Sequence, residues 1–249
     1  MKRGLLLIDR GSKEEEVKDE LRHICSKAKE SGGYQFSDYC FLEVIPPFIE
    51  ESMENCFKQD LDSLTVIPYF LYPGKKVKLA VNNAIKMISK TNMQIRITKP
   101  IIFHRSLLNI VHAKVDDAIA KNKITLSKKE IDILIIGHGS KDRNAKTSLN
   151  FVADGLKDAY RNVVCCWLEI EEPNIKQGIE TCAKNKPKVL VIIPYFLHRG
   201  AHVKRDIYED LNPLEDDLCL CPQTSVHIFR ESNHNFFNFK LTNDHGDFF

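Results

Sequence analysis

The sequence lacks both a long hydrophobic run and a strong excess of charge of either sign. Near the N-terminus a short apolar stretch, Gly4–Ile8, gives way at once to charged residues, and it is too short for a signal peptide or a membrane span. Lys and Arg number 36 against 34 Asp and Glu, so the formal charge of +2 gives no reason to expect an electrostatic surface for nucleic acid or membrane. We therefore expect a cytoplasmic protein with neither of these partners.

Disulfide, cluster and phosphate-loop patterns are also missing. The eight cysteines lie mostly in apolar or helical stretches, and no secretory signal supports bridging them. Cys219 and Cys221 form a CxC pair without further thiols at metal-ligand spacing, which favours two reduced cysteines. No glycine-rich loop ends in Lys-Ser or Lys-Thr, which argues against a phosphoryl-transfer enzyme built on His138 and Arg143.

What the chain does contain is an internal repeat. The segment Val66–Leu71 returns as Ile192–Leu197, and Leu42-Glu43 returns as Leu168-Glu169, both at an offset of 126 (194 − 68 = 126). An earlier landmark, Gly11-Ser12, returns as Gly139-Ser140 at an offset of 128. A chain of 249 residues can bury two cores. We predict a duplication with one lobe at 1–124 and the other at 125–249.

Each half alternates buried strands with helices. Continuous apolar runs suit strands that are covered on both faces, and the alternation predicts an α/β fold with two mostly parallel sheets and helices on both faces of each. We expect a helix from Ser12, as N-cap, to Glu30 and another at Arg105–Lys121. The expected strands are Gly4–Ile8, Tyr39–Val44, Leu64–Phe70, Gln94–Thr98, Ile131–Ile136, Val163–Leu168, Val189–Tyr195 and Ser225–Phe229.

Candidate metal ligands follow three strands of the second half. His138 follows the first strand, Glu169 the second, and His202 lies beyond the third. In an open parallel sheet, ligands bind beyond the carboxyl ends of the strands, so these side chains are expected to share one crevice. Imidazole and carboxylate suit a divalent first-row metal that must later be released. Taken singly, each histidine is more often a structural hydrogen-bonding group, and Glu169 is as readily a cap for the helix near Pro173.

The first half serves as a control for this hypothesis. Arg10 stands where the second half has His138, and Lys76 stands where it has His202, while Glu43 matches Glu169. Arginine does not deprotonate in proteins, so the first half is expected to have lost metal binding. The basic side chains of the first half, such as Arg10 and Lys76, could bind the carboxylates of a ligand. They could equally well be solvated side chains at the rim of the site. His198 is an alternative extra ligand, but we expect it to be exposed.

The quoted motifs resemble the class II chelatase family, which includes sirohydrochlorin ferrochelatases and cobaltochelatases. The similarity rests on Ile136–Ser140, on Leu168-Glu169 with Pro173, and on the run from Ile193 to Ile207. It implies two lobes around a cleft for a tetrapyrrole, whose two pyrrole protons are exchanged for Fe²⁺ or Co²⁺. The sequence departs from family members that carry their metal histidines in the N-terminal half.

The resemblance also implies roles for individual residues. His138 and His202 would bind the metal and assist proton removal, and Glu169 would complete the metal site or act as a base. Substrate contacts are expected from Arg10, Lys76, Ser140 and Arg199. We expect a monomer with no cofactor beyond the substrate metal. The open alternative is a metal or tetrapyrrole carrier that kept the fold and lost turnover.

Overall fold

A computed structural model describes residues 1–142 and 144–198, the helical residues Ile207 and Leu211, and two strands at 218–221 and 226–230. These residues form two α/β lobes, each with a sheet covered by helices, so the predicted fold class is confirmed. Among them, no helix is both long and apolar enough to cross a membrane. The six cysteines within residues 1–142 and 144–198 are free thiols.

The elements of the first half of the chain are β1 Arg3–Asp9, α1 Glu15–Gly32, β2 Phe36–Phe41, α2 Ile49–Phe57, β3 Ser63–Pro68, α3 Lys75–Met87, β4 Gln94–Ile97 and α4 Arg105–Lys121. The four strands form the parallel sheet of the first lobe in the order β2-β1-β3-β4. Successive residues of β1 face opposite sides of this sheet: Leu5 and Leu7 pack with α1, whereas Leu6 and Ile8 pack with α2 and α3. This two-sided burial explains why the strand is apolar throughout.

The second lobe repeats this design with a different strand arrangement at one edge of its sheet. Its elements are β5 Asp132–Gly137, α5 Ala145–Lys157, β6 Asn162–Trp167, α6 Ile175–Lys184, β7 Val189–Pro194, β8 Leu218–Cys221 and β9 Val226–Arg230. The sheet has the order β6-β5-β7-β9-β8. We expected the strand near 225–229 to be parallel, but β9 runs antiparallel to β7 and also to β8. Only four residues separate β8 from β9, which permits a hairpin and is too short for a parallel crossover.

Two local predictions were wrong. Helix α1 begins at Glu15 with Glu14 as N-cap, and the Ser12 hydroxyl instead accepts a hydrogen bond from the backbone N–H of Glu14 at 3.2 Å. Strand β2 spans Phe36–Phe41 rather than Tyr39–Val44, and Val44 has a left-handed φ of 78°, which does not fit a strand. Its counterpart Ile170 has a φ of 69°. The same unusual turn therefore follows the second strand in both lobes.

Helix α4 packs into the core of the second lobe. Its buried residues Val111, Val115 and Ala118 belong to the same apolar core as Ile133 and Ile135 of β5. The helix occupies the predicted range of Arg105–Lys121, yet it covers the second sheet. The division of the chain at residues 124 and 125 remains a prediction, and the core of the second lobe includes residues that precede that point.

Candidate functional site

A cleft of about 1270 Å³ lies between the lobes at the carboxyl ends of β1, β3, β5 and β7. This is where a parallel sheet presents its loops to a ligand. Among the described residues that line it, the cations Arg10, Lys13, Lys75, Lys76, Lys78 and Lys141 outnumber the acids Asp9, Glu14 and Asp142. The cleft therefore suits a large ligand with negative groups.

In the second lobe the backbone brings the loops after β5 and β6 together. Leu168 N–H donates to the carbonyl of Gly137, and Glu169 N–H donates to that of His138. Gly139 has a φ of 90°, and a Cβ there would lie 1.8 Å from the carbonyl oxygen of Glu169. Glycine is thus required for the approach of the two loops, which sets His138 beside Glu169.

The imidazole of His138 and the carboxylate of Glu169 form a pair suited to metal binding. Nδ1 of His138 lies 3.3 Å from Oε1 of Glu169 and 3.2 Å from the carbonyl oxygen of Gly139. Ligand atoms that each lie about 2.1 Å from one shared metal ion are about 3.0–3.4 Å apart at ordinary coordination angles. The His138–Glu169 separation falls within that range. The alternative that Glu169 caps α6 is wrong, because Asn174 caps that helix in a reciprocal pair with Gln177.

The equivalent positions of the first lobe form an ion-paired triplet. Nε of Arg10 lies 3.1 Å from Oε1 of Glu43, and the ammonium of Lys76 contacts Oε2 of the same carboxylate. The hydrogen bond from Lys76 lowers the pKa of Glu43; burial opposes this shift and Arg10 reinforces it. Two fixed cations thus stand where the second lobe has histidines. The three positions that the repeat predicts to converge do so in this lobe.

His198 was expected to be exposed, and this prediction was wrong. Its side chain is 11% exposed and lies between two acids of the first lobe: Nδ1 is 2.7 Å from Oε2 of Glu20, and Nε2 is 3.1 Å from Oδ2 of Asp9. Burial by itself lowers the pKa of His198, but the hydrogen bonds and charges of Asp9 and Glu20 raise it to about 9. The imidazolium therefore bridges the lobes at neutral pH.

A neutral contact bridges the lobes at the repeat-equivalent position. Tyr72 corresponds to His198 at the offset of 126, and its hydroxyl donates to the carbonyl of Tyr195 at 2.7 Å. The rings of Tyr72 and Tyr195 meet edge to face at 6.0 Å, and His198 packs at 5.9 Å against Tyr69, the equivalent of Tyr195. Each lobe thus extends one ring from the loop after its third strand to the other lobe.

Comparison with known proteins identifies the family. The sequence model of the CbiX family matches residues 4–118 and 132–231, which covers both repeats. The chain belongs to the CbiX family. Among its curated relatives, the sirohydrochlorin ferrochelatase of Priestia megaterium is 25% identical over 219 residues, 86% of this chain and 80% of the relative. The sirohydrochlorin cobaltochelatase of the same organism is 25% identical over 208 residues, 82% and 67% of the two chains.

Solved structures share the fold of this CbiX-family chain. SirB from Bacillus subtilis with Fe³⁺ superposes with a TM-score of 0.69 at 22% identity, covering 85% of this chain and 84% of SirB. The structure of a Bacillus subtilis SirB in complex with cobalt gives a TM-score of 0.65 at 20% identity, covering 85% and 83% of the two chains. These comparisons agree with two chelatase-like lobes.

The predicted site residues of this CbiX-family chain have different outcomes. His138 lies beside Glu169, and Arg10 and Lys76 meet at Glu43. Ser140 lines the cleft, where its hydroxyl accepts a hydrogen bond from the N–H of Asp142 at 3.1 Å. His202 and Arg199 lie outside the described residues. Their roles stay predictions.

Proposed function

We propose that this protein is a sirohydrochlorin chelatase that inserts a divalent metal ion, Fe²⁺ or Co²⁺, into the macrocycle. The observation that carries the proposal is the 3.3 Å His138–Glu169 pair at the carboxyl end of the second sheet. His138 also lines the cleft. The activities named for the two Priestia relatives support the same reaction class.

The reaction exchanges one metal dication for two pyrrole protons, so the site must hold a cation and accept protons. His138 and His202 would bind the metal, and Glu169 would complete the set or accept a proton. Imidazole and carboxylate side chains are both able to accept a proton in general-base catalysis. The Arg10–Glu43–Lys76 triplet supports the inclusion of His202, because the equivalent residue Lys76 contacts the equivalent acid.

The cations of the cleft would bind the carboxylate side chains of the macrocycle. Arg10 and Lys76 line the cleft from the first lobe, and Ser140 and Arg199 would add contacts from the second. Charge-assisted hydrogen bonds of this kind orient an acidic substrate strongly. In this proposal the protein is a cytoplasmic monomer, and no cofactor is needed apart from the substrate metal.

A carrier that keeps the fold without turnover is the second candidate, favoured by the replacement of the histidines in the first lobe. An anaerobic assay with sirohydrochlorin and Fe²⁺, Co²⁺ or Ni²⁺, followed by the absorbance of the macrocycle, separates the two. We expect wild-type protein to release metallated product over many turnovers and Glu169→Gln to be strongly impaired. Binding without release, or at most one product per protein molecule, would support the carrier instead.

A further inference from the structure

The loop that carries His138 is held by a buried carboxylate that the proposed reaction does not use. Glu171 has a side chain that is 8% exposed, and Oε1 accepts a hydrogen bond from the backbone N–H of Ser140 at 3.0 Å. Its Oε2 lies 2.6 Å from Nζ of Lys146, in the first turn of α5. Both oxygens of this carboxylate are therefore engaged.

These contacts connect the segments that carry the two candidate metal ligands. Glu171 lies two residues after Glu169, and its N–H donates to the carbonyl of Glu169 at 2.7 Å. Ser140 lies two residues after His138, so the carboxylate joins 138–140 to 169–171. Lys146 is fixed in turn, because its ammonium lies 5.8 Å from the ring centroid of Trp167, the last residue of β6. The Glu171–Lys146 ion pair thus limits how far His138 and Glu169 can move apart.

The first lobe has the same backbone turn without this carboxylate. Ile45 is the equivalent of Glu171, and its N–H donates to the carbonyl of Glu43 at 3.0 Å. An apolar side chain cannot accept a hydrogen bond from the loop N–H groups. There the loop is held by Asp9, whose carboxylate accepts from the N–H of Gly11 at 2.8 Å. The charged connection therefore occurs in the lobe that carries the imidazole.

We propose that Glu171, fixed by Lys146, is a positioning residue that sets the His138–Glu169 separation for metal binding. Groups that orient metal ligands commonly change affinity or activity by about 10–100-fold when they are removed. The inference rests on the proposed function, since it assigns Glu171 a role at the same site. Glu171 itself does not contact substrate in this role.

The test is a variant series measured for Co²⁺ affinity of the substrate-free protein, for kcat and KM of insertion, and for thermal stability. Glu171→Ile copies the first lobe, and we expect it to weaken Co²⁺ binding by about 10–100-fold and to lower kcat, with KM for sirohydrochlorin little changed. Glu171→Gln keeps an acceptor for the Ser140 N–H and should restore affinity to within about threefold of wild type. Lys146→Met should give an intermediate loss.

The matched control is Lys18→Met, which removes the equivalent lysine of the first lobe, ion-paired within its own helix to Glu15. We expect wild-type Co²⁺ affinity and turnover from it. Unchanged Co²⁺ affinity in Glu171→Ile would overturn the inference, and so would unchanged affinity in Lys146→Met if Glu171→Ile fails to fold. If wild type binds Co²⁺ but inserts none, the proposed function fails alone and the affinity series still decides the role of Glu171.

Discussion

In the first lobe Glu43 lies between the cations Arg10 and Lys76, whereas in the second lobe Glu169 lies beside the imidazole of His138. The surrounding backbone is the same: matching hydrogen bonds join the loops, and a glycine presses against the carbonyl of the acid in both cases. The frame that brings three strand ends together therefore does not depend on metal binding. The salt-bridge triplet and the metal site proposed for the second lobe would be two ways of balancing the charge of one acid.

Of the substitutions that test the difference between the lobes, those of His138 and His202 are expected to have the largest effect on turnover. We expect His138→Ala and His202→Ala each to lower kcat for metal insertion by at least about a hundredfold, because each removes a proposed metal ligand. Steady-state insertion kinetics under anaerobic conditions measure this. Arg10→Ala is the control from the first lobe, and an equal loss of kcat there would contradict the assignment of the metal to the second lobe.

Gly11 and Gly139 allow the stability of the two loop contacts to be compared between the lobes. A Cβ at Gly139 would lie 1.8 Å from the carbonyl oxygen of Glu169, and one at Gly11 would lie 2.1 Å from that of Glu43. Both residues also have positive φ. We expect Gly139→Ala and Gly11→Ala each to lower the free energy of unfolding by about 2–4 kcal/mol, from backbone strain and overpacking together. Urea unfolding measures this loss.

Activity should then separate the two glycine variants. Gly139→Ala displaces His138 from Glu169, so we expect kcat per folded molecule to fall, whereas Gly11→Ala should keep a kcat close to wild type. Equal kcat values for the two variants would show that the approach of the loops in the second lobe is not required for turnover.

Of the two contacts that bridge the lobes, the one made by His198 is an ion pair and the one made by Tyr72 is a neutral hydrogen bond. His198 faces Asp9 from β1, Glu20 from α1 and the ring of Tyr69. Burial raises the pKa of Tyr69 to about 12, and the nearby acids add to this shift, so its phenol stays neutral below that pH. The pKa of His198 is raised from 6.5 to about 9, so the folded protein binds the extra proton more tightly than the unfolded chain does.

The sign of the pH dependence follows from this shift. The stabilisation is fully present below about pH 6.5 and is lost as the pH rises through 9. Wild type should lose on the order of 2–3 kcal/mol more stability than His198→Gln between pH 6.5 and 10, with allowance for screening at the partly exposed Glu20. Unfolding free energies across this range provide the test. If the unfolding free energies of wild type and His198→Gln depend on pH in the same way, the raised pKa of His198 does not contribute to stability. Tyr72→Phe, which changes the neutral bridge, should show the pH slope of wild type.

The sequence predicted what depends on local pattern and on the repeat. The alternating β and α segments predicted the two sheets, the offset of 126 placed Lys76 with Glu43, and the helix predicted at Arg105–Lys121 has the observed bounds. Strand periodicity also located β9, but it carries no information about direction, so the antiparallel edge was missed.

Other features depend on partners that are remote in sequence. The sequence predicts an exposed loop histidine at His198 because its ion-pair partners, Asp9 and Glu20, come from the other lobe. Their charges raise the pKa of the imidazole. Glu171 was missed because two acids beside a proline suggest an exposed turn. Its signal was available in the comparison with Ile45, which is partly buried against the first-lobe core, because a carboxylate at a partly buried position is stabilised by a hydrogen-bonding or charged partner. Only the fold shows that this partner is the Ser140 loop.

The smallest expected effect concerns the first-lobe cations. The side chains of Arg10 and Lys76 are 55% and 50% exposed, and both share the carboxylate of Glu43. Arg10→Ala and Lys76→Ala should each raise KM for sirohydrochlorin by about 3–10-fold with kcat little changed, because a half-exposed contact to a carboxylate contributes about 1 kcal/mol. The solvated-rim alternative predicts that neither alanine variant alters KM. Glu43→Gln frees both cations, so KM should fall if they bind substrate and stay level if they merely balance the charge of Glu43.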